Sequence, residues 1–193
     1  MSDGSIRNVA TAWRDVRAPD DRLEQELRTK LEQVETALAA AVTSDLPLVS
    51  DAAAYLLAAG GKRFRPMLVM LGGRFGDTNH PALIPAAVAI ELTHLATLYH
   101  DDVIDEAVDR RGINSANARW NNTVAILTGD FLFARASLIA SDLGTEATRL
   151  PARTLAEVCE GQIREVQIMG RVETEEAGYL DVIRRKTASL IGT

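Results

Sequence analysis

Residues 93–112 read THLATLYHDDVIDEAVDRRG and place three carboxylates, Asp101, Asp102 and Asp105, within five positions. On a helix Asp101 and Asp105 share one face, with Asp109 one turn further on if the helix persists. Like charges at that spacing cost ~0.2 to 0.5 kcal/mol each when solvated and far more when desolvated. A cation must offset them. Oxygen-only ligands with open positions suit magnesium, which takes one or two carboxylates and completes its shell with water and substrate phosphates. The bland alternative is a solvated acidic helix end, but the preceding residues, Ala86 to Leu98, are overwhelmingly apolar, so the carboxylates project from a buried helix. Glu91 and His94 form a Glu-x-x-His pair of the kind used in di-iron bundles. Neither His80 nor His100 has a glutamate three residues earlier to supply the second pair, which rejects that metal. His94 lies seven residues before Asp101 on nearly the same face. Its plain alternative is a satisfied core histidine.

Two basic clusters flank the carboxylates. GGKRFRP, residues 60–66, sets Lys62, Arg63 and Arg65 between a helix stop and a helix start, where free backbone N–H groups favour an anion. Arg110 and Arg111 follow the aspartates, with Gly112 as helix breaker. Either cluster alone reads as surface charge near helix ends. Around a magnesium site they describe a receptor for polyphosphate. No G-x-x-x-x-G-K-[ST] loop exists to carry a nucleoside triphosphate. The helix face behind the aspartates holds Ile90, His94, Thr97 and Leu98, so the expected ligand is a diphosphate on an apolar body.

The elements that must position these groups are helices. Leu23, Leu27, Leu31, Val34, Leu38 and Val42 recur every three or four residues, the stripe of a long amphipathic helix. A short helix is expected over Asp51 to Ala59, stopped by Gly60 and Gly61, and the next from Pro66 to Leu71, ending at Gly72 and Gly73. Longer ones follow from Pro81–Pro85 through Asp105, from Asn122 to Leu143 and from Thr145 to Met169, and Thr174 caps a last one carrying Tyr179 to Ile183. No alternating strand pattern intervenes. The fold class is all-α, an antiparallel bundle of about seven helices, with residues 1–19 a loose arm and 20–193 one helical domain. The 193 residues are 47% apolar and 25% charged, with net charge -6, so nothing global attracts nucleic acid. Neither a signal-type apolar segment nor a run of ~20 apolar residues is visible, and the chain reads as cytoplasmic with no membrane span. Cys159, the single cysteine, is expected to be a small buried hydrophobe.

Four blocks in order, GGKRFRP, ELTHLATLYHDDVIDEAVDRRG, LTGDFLFARA (127–136) and RRKTASL (184–190), resemble the trans-isoprenyl diphosphate synthases over Gly60 to Leu190. The resemblance implies a helical bundle of the isoprenoid synthase type around a central apolar cavity, usually a homodimer. It implies condensation of an allylic prenyl diphosphate with isopentenyl diphosphate. It assigns Asp101 and Asp105 to Mg2+, with Asp102 supporting that site. Lys62, Arg65, His94 and Arg111 fall to isopentenyl diphosphate, and Arg110, Lys186 and Thr187 to the allylic diphosphate. In this family the bulk of the residues just before the first aspartate sets product length. Here Thr97, Ala96 and Thr93 are small, with Ala89 ~18 Å behind Asp101 along the helix axis, which implies a medium-to-long product such as a quinone side chain. Tyr99 points to another face and is expected to pack; Phe131 and Phe133 are expected to be core, a deeper floor for the product being the alternative.

The sequence stops at Thr193, just after the KT block, and holds no second DDxxD after Asp105, whereas relatives continue through helices carrying one. Beside a prenyltransferase, the expectations therefore include a non-catalytic partner subunit or inactive fragment of such a synthase. A class I terpene cyclase is the third reading, disfavoured because it has no use for Lys62, Arg65 and Arg111.

Overall fold

The computed structural model of the chain describes residues 18, 20–169 and 176–193. The arm and the Thr174 cap fall largely or wholly outside these. The chain divides into two compact units, Met1–Ala140 and Ser141–Thr193.

In the first unit, α1 (Asp21–Ala41) starts where the Asp20 side chain accepts the Arg22 N–H at 2.9 Å. Its stripe is buried at Leu27, Leu31, Val34 and Leu38. Helix α2 (Pro47–Ala58) begins four residues before the expected Asp51, because Pro47 sits in the first turn, where a missing N–H costs nothing. Likewise α3 (Phe64–Gly73) begins ahead of Pro66, with Arg63 left-handed at φ 47° as its N-cap. Helix α4 (Leu83–Ile104) buries Val88, Leu92, Leu95 and Tyr99. Tyr99 is fully buried, its hydroxyl accepting the Leu56 N–H at 3.2 Å and donating to the Ala52 carbonyl, which stitches α4 to α2. Burial holds its phenol pKa well above the ordinary range.

Two two-residue strands, β1 (Asp109–Arg110) and β2 (Ile113–Asn114), form an antiparallel hairpin that the alternation pattern did not reveal. A short α5 (Ala116–Arg119) leads to α6 (Asn122–Asp142). The buried residues of α6 in this unit are mostly small, Ala125, Thr128, Gly129, Ala136 and Ala140, with Leu132, while Phe131 and Phe133 pack on the core, as expected. A Cβ on Gly129 would stand 3.2 Å from the Ala96 carbonyl of α4, so glycine permits that approach. By length and composition α6 could cross a membrane, although the sequence reading found no such run. Its apolar residues come in short runs, Val124–Leu127, Phe131–Ala134 and Leu138–Ala140, interrupted by Asp130 and Arg135.

The second unit packs α7 (Thr145–Ile168) against α8 (Glu176–Ile183), a π-helical turn (Arg184–Ala188) and α9 (Ser189–Gly192). A Cβ on Gly161 would come within 2.8 Å of the Arg185 Cβ and 2.9 Å of the Lys186 backbone nitrogen. Cys159 is exposed on α7, not buried as expected. Along α7 it falls on the same outward side as Ile163 and Val166, both exposed. Among the described residues seven helices have eight residues or more.

Candidate active site

The carboxylates occupy the C-terminal end of α4. Asp101 is half-buried, Asp102 is fully buried and Asp105 is exposed as the C-cap. The helix dipole is negative at this end, so the three charges add to it unfavourably. Helix α4 stops at Ile104, so Asp109 does not extend the acidic face; it lies on β1. Glu106 turns the chain with φ 49°, and the Ala107 N–H donates to the Asp102 carbonyl at 2.9 Å.

The hairpin then sends the two arginines to different places. Arg111 (φ 56°) and Gly112 (φ 79°) are the two left-handed residues between the strands, as a type I′ turn requires. Gly112 is therefore a hairpin residue more than a helix breaker. Arg110 Nε donates to Asp102 Oδ1 at 2.7 Å and its Nη2 to the same oxygen. Asp102 Oδ2 is buried without a hydrogen-bond partner among the described residues. Burial raises the Asp102 pKa above the ordinary range although Arg110 pulls it down.

Arg111 Nη1 donates to the Leu56 carbonyl at 3.0 Å, and its guanidinium passes over Gly61, where a Cβ would be 3.2 Å from Nη2. Arg65 is partly buried, with a buried Nε that finds no partner among the described residues, and Lys62 is exposed. Burial lowers the pKa of both Arg65 and Arg111 while Glu91 opposes the shift. His94 is driven down to about 3 by burial, then by Arg65, Arg111, Arg63 and Arg110, so it is neutral at physiological pH. Its ring carries one N–H donor and one acceptor.

Two participants were not apparent as such in the sequence. Arg63, grouped there with the anion-facing cations, is 2% exposed and turned inward to Glu35 of α1 and Glu91 of α4. Glu91 thus serves arginine. Glu35 carries no local motif that would have announced it.

Behind the aspartates, Thr97 is half-buried with its hydroxyl donating to the His94 carbonyl at 2.7 Å. Thr93 is buried and donates to the Ala89 carbonyl at 2.8 Å, and Ala96 is buried. In the second unit, Lys186 Nζ donates to Glu165 Oε2 at 2.5 Å, and Thr187 is exposed on the π-helical turn. A groove of about 580 Å³ between α1 and the loop before α4, lined by Arg22, Lys30, Thr78 and His80 among others, includes none of these residues.

Among the described residues no three His, Cys, Asp or Glu side chains converge on a metal position. Asp101 and Asp105 still fit magnesium, since they offer hard oxygens one turn apart against a negative helix end, and magnesium needs only one or two carboxylates beside phosphate.

A helical bundle presenting a carboxylate-rich helix end and a partly buried cluster of arginines defines a protein of the isoprenoid synthase fold. The polyprenyl synthetase family model matches residues 46–193, and the chain belongs to that family. It is 45% identical over 178 residues to a nonaprenyl diphosphate synthase of Mycobacterium tuberculosis, covering 92% of this chain and 50% of that protein. It is 45% identical over 166 residues to heptaprenyl diphosphate synthase component 2 of Geobacillus stearothermophilus, covering 86% and 52%. A crystal structure of geranylgeranyl pyrophosphate synthase from Corynebacterium glutamicum, complexed with calcium and isoprenyl diphosphate, superposes with a TM-score of 0.78 at 44% identity, covering 91% of this chain and 54% of that one. The chain spans about half the length of the curated relatives it matches.

Proposed function

We propose that the chain is a prenyltransferase unit that joins isopentenyl diphosphate head-to-tail to an allylic prenyl diphosphate, giving a medium- or long-chain all-trans polyprenyl diphosphate for a quinone tail. The observation that carries this reading is a pair of polar sites linked by one hairpin. Arg110, bonded to Asp102, ties the acidic end of α4 to the hairpin whose next residue, Arg111, bonded to the Leu56 carbonyl, belongs to the basic cluster with Arg65 and His94. A class I cyclase would leave that basic pocket without a ligand.

In this reading Lys62, Arg65 and Arg111 neutralise isopentenyl diphosphate, and neutral His94 donates one N–H without adding charge. Asp101 and Asp105 would hold magnesium, which when bound supplies positive charge for the departing diphosphate. Asp102 keeps Arg110 oriented beside that leaving group. The allylic C–O bond breaks with its electron pair on the diphosphate, the isopentenyl double bond attacks the cation, and the released diphosphate takes the proton. The apolar face at Ile90 and Leu98 excludes water that would quench the cation. The small side chains at Thr93, Ala96 and Thr97 support a medium-to-long product, as do the names of the nonaprenyl and heptaprenyl relatives. Lys186 and Thr187 are assigned to the allylic diphosphate by resemblance alone. The chain is proposed to act as a homodimer or with a second chain, the latter supported by relatives named as component 2 of a heptaprenyl synthase.

Calorimetric titration of farnesyl diphosphate, with and without magnesium, tests the proposal. Uptake should need the metal and should vanish in Asp101→Ala/Asp105→Ala. No uptake by a folded, helical sample at saturating magnesium would overturn the reading for this chain.

A further inference from the structure

Arg63 stands apart from the other cations of its loop. It is 2% exposed between exposed Lys62 and Phe64, because its left-handed backbone (φ 47°) turns the side chain inward. A non-glycine residue held there is strained unless its surroundings compel it. Those surroundings are three elements gripped by one guanidinium. Nε and Nη2 donate to the two oxygens of Glu35 on α1, the latter at 3.3 Å. Nη2 also donates to the Leu57 carbonyl near the end of α2 at 3.2 Å, and Nη1 to Glu91 on α4 at 3.1 Å.

The same guanidinium bears on the diphosphate pocket. A Cβ on Gly61 would lie 2.9 Å from Arg63 Nη1 and 3.2 Å from Arg111 Nη2, so both guanidiniums cross one glycine. Glu91, bonded to Arg63, is also the anion that offsets Arg65 and Arg111. Lys62 immediately precedes Arg63 and Arg65 follows it by two residues, so the left-handed turn at Arg63 lies between them in one loop.

We propose that Arg63, gripped by Glu35 and Glu91, is a positioning residue that fixes the 60–66 loop so that Lys62, Arg65 and Arg111 converge on isopentenyl diphosphate. It touches no substrate. The inference rests on the function proposed above.

Glu35→Gln gives a test in which the two possible causes have opposite signs. Removing a carboxylate makes the cluster one charge more positive, so field alone tightens an anion. Halving the fork on Arg63 loosens the loop and weakens it. The Glu35 side chain is 27% exposed and glutamine keeps its shape, so the fold is retained. Arg63→Lys is the second variant, keeping the charge and losing the fork. Isopentenyl diphosphate is titrated by calorimetry into the full chain and both variants, with farnesyl diphosphate plus magnesium as control. The expected result is about tenfold weaker isopentenyl diphosphate binding in each and a farnesyl diphosphate affinity within about twofold of the parent. Binding by Glu35→Gln as tight as the parent or tighter, parental affinity in folded Arg63→Lys, or equal loss of both ligands overturns the inference. An unaltered chain that takes up farnesyl but not isopentenyl diphosphate removes its premise instead.

Discussion

At the residue scale, His94 shows how a site can add a donor without adding charge. Its folded pKa of about 3 lies below the 6.5 of an unperturbed histidine, so between those values the unfolded chain binds the extra proton. Stability from this group is fully present above pH 6.5 and drains away as pH falls toward 3. His94→Gln removes the titration, so its melting temperature should track the parent near pH 7.5 and fall less steeply between pH 6.5 and 4. Parallel curves for the two proteins, recorded by circular dichroism, would refute the assignment of a buried neutral imidazole. The spacing of Asp101 and Asp105 and the basic types at Lys62, Arg65 and Arg111 were legible because chemistry is written in residue type. The inward course of Arg63 was not, since one left-handed φ reverses a side chain without changing the composition of its loop.

At the element scale, glycines separate crossings that need closeness from positions that do not. A Cβ at Gly161 would meet backbone atoms of the π-helical turn at 2.9 Å, which no rotamer change relieves, whereas Gly72 in α3 has nothing within 4 Å. Gly72→Ala should therefore stabilise by about 0.5–1 kcal/mol through helix propensity. Gly161→Ala should destabilise by about 1–2 kcal/mol once overpacking exceeds the same propensity gain. Urea midpoints at constant m-value measure both, and a stabilised Gly161→Ala would contradict the close crossing. The long helices were legible from their three-to-four periodicity, within a few residues at each end. The early start of α2 was missed because Leu48 in its first turn is exposed, leaving Val49 alone there to continue the face of Ala53 and Leu56. The hairpin at Asp109–Asn114 was missed because two-residue strands are too short to alternate, and its turn uses Arg-Gly instead of the more familiar Asn-Gly.

At the scale of the whole molecule, the proposed function has a chain of net charge -6 take up polyanions against its own field. Beyond about 8–10 Å at physiological ionic strength that field is screened, so each diphosphate responds to its immediate neighbours. The two proposed diphosphate sites then differ in kind. Around Arg65, Arg111 and Lys62 the cations are built into the chain, and the Arg65 Nε lacks a partner among the described residues. Around Asp101 and Asp105 the local charge is negative and a diphosphate is repelled until a divalent ion reverses it. Binding of isopentenyl diphosphate should therefore survive chelation of magnesium with less than about a threefold loss, while farnesyl diphosphate should lose at least about 100-fold, a gap of about 2 kcal/mol between the two responses. Raising salt from ~0.05 to ~0.5 M should weaken isopentenyl diphosphate in the absence of metal, because partly exposed Lys62 and Arg111 are screened with it. If both ligands demanded magnesium equally, the basic pocket would not be a diphosphate site in its own right, and both anions would have to share the single acidic end of α4.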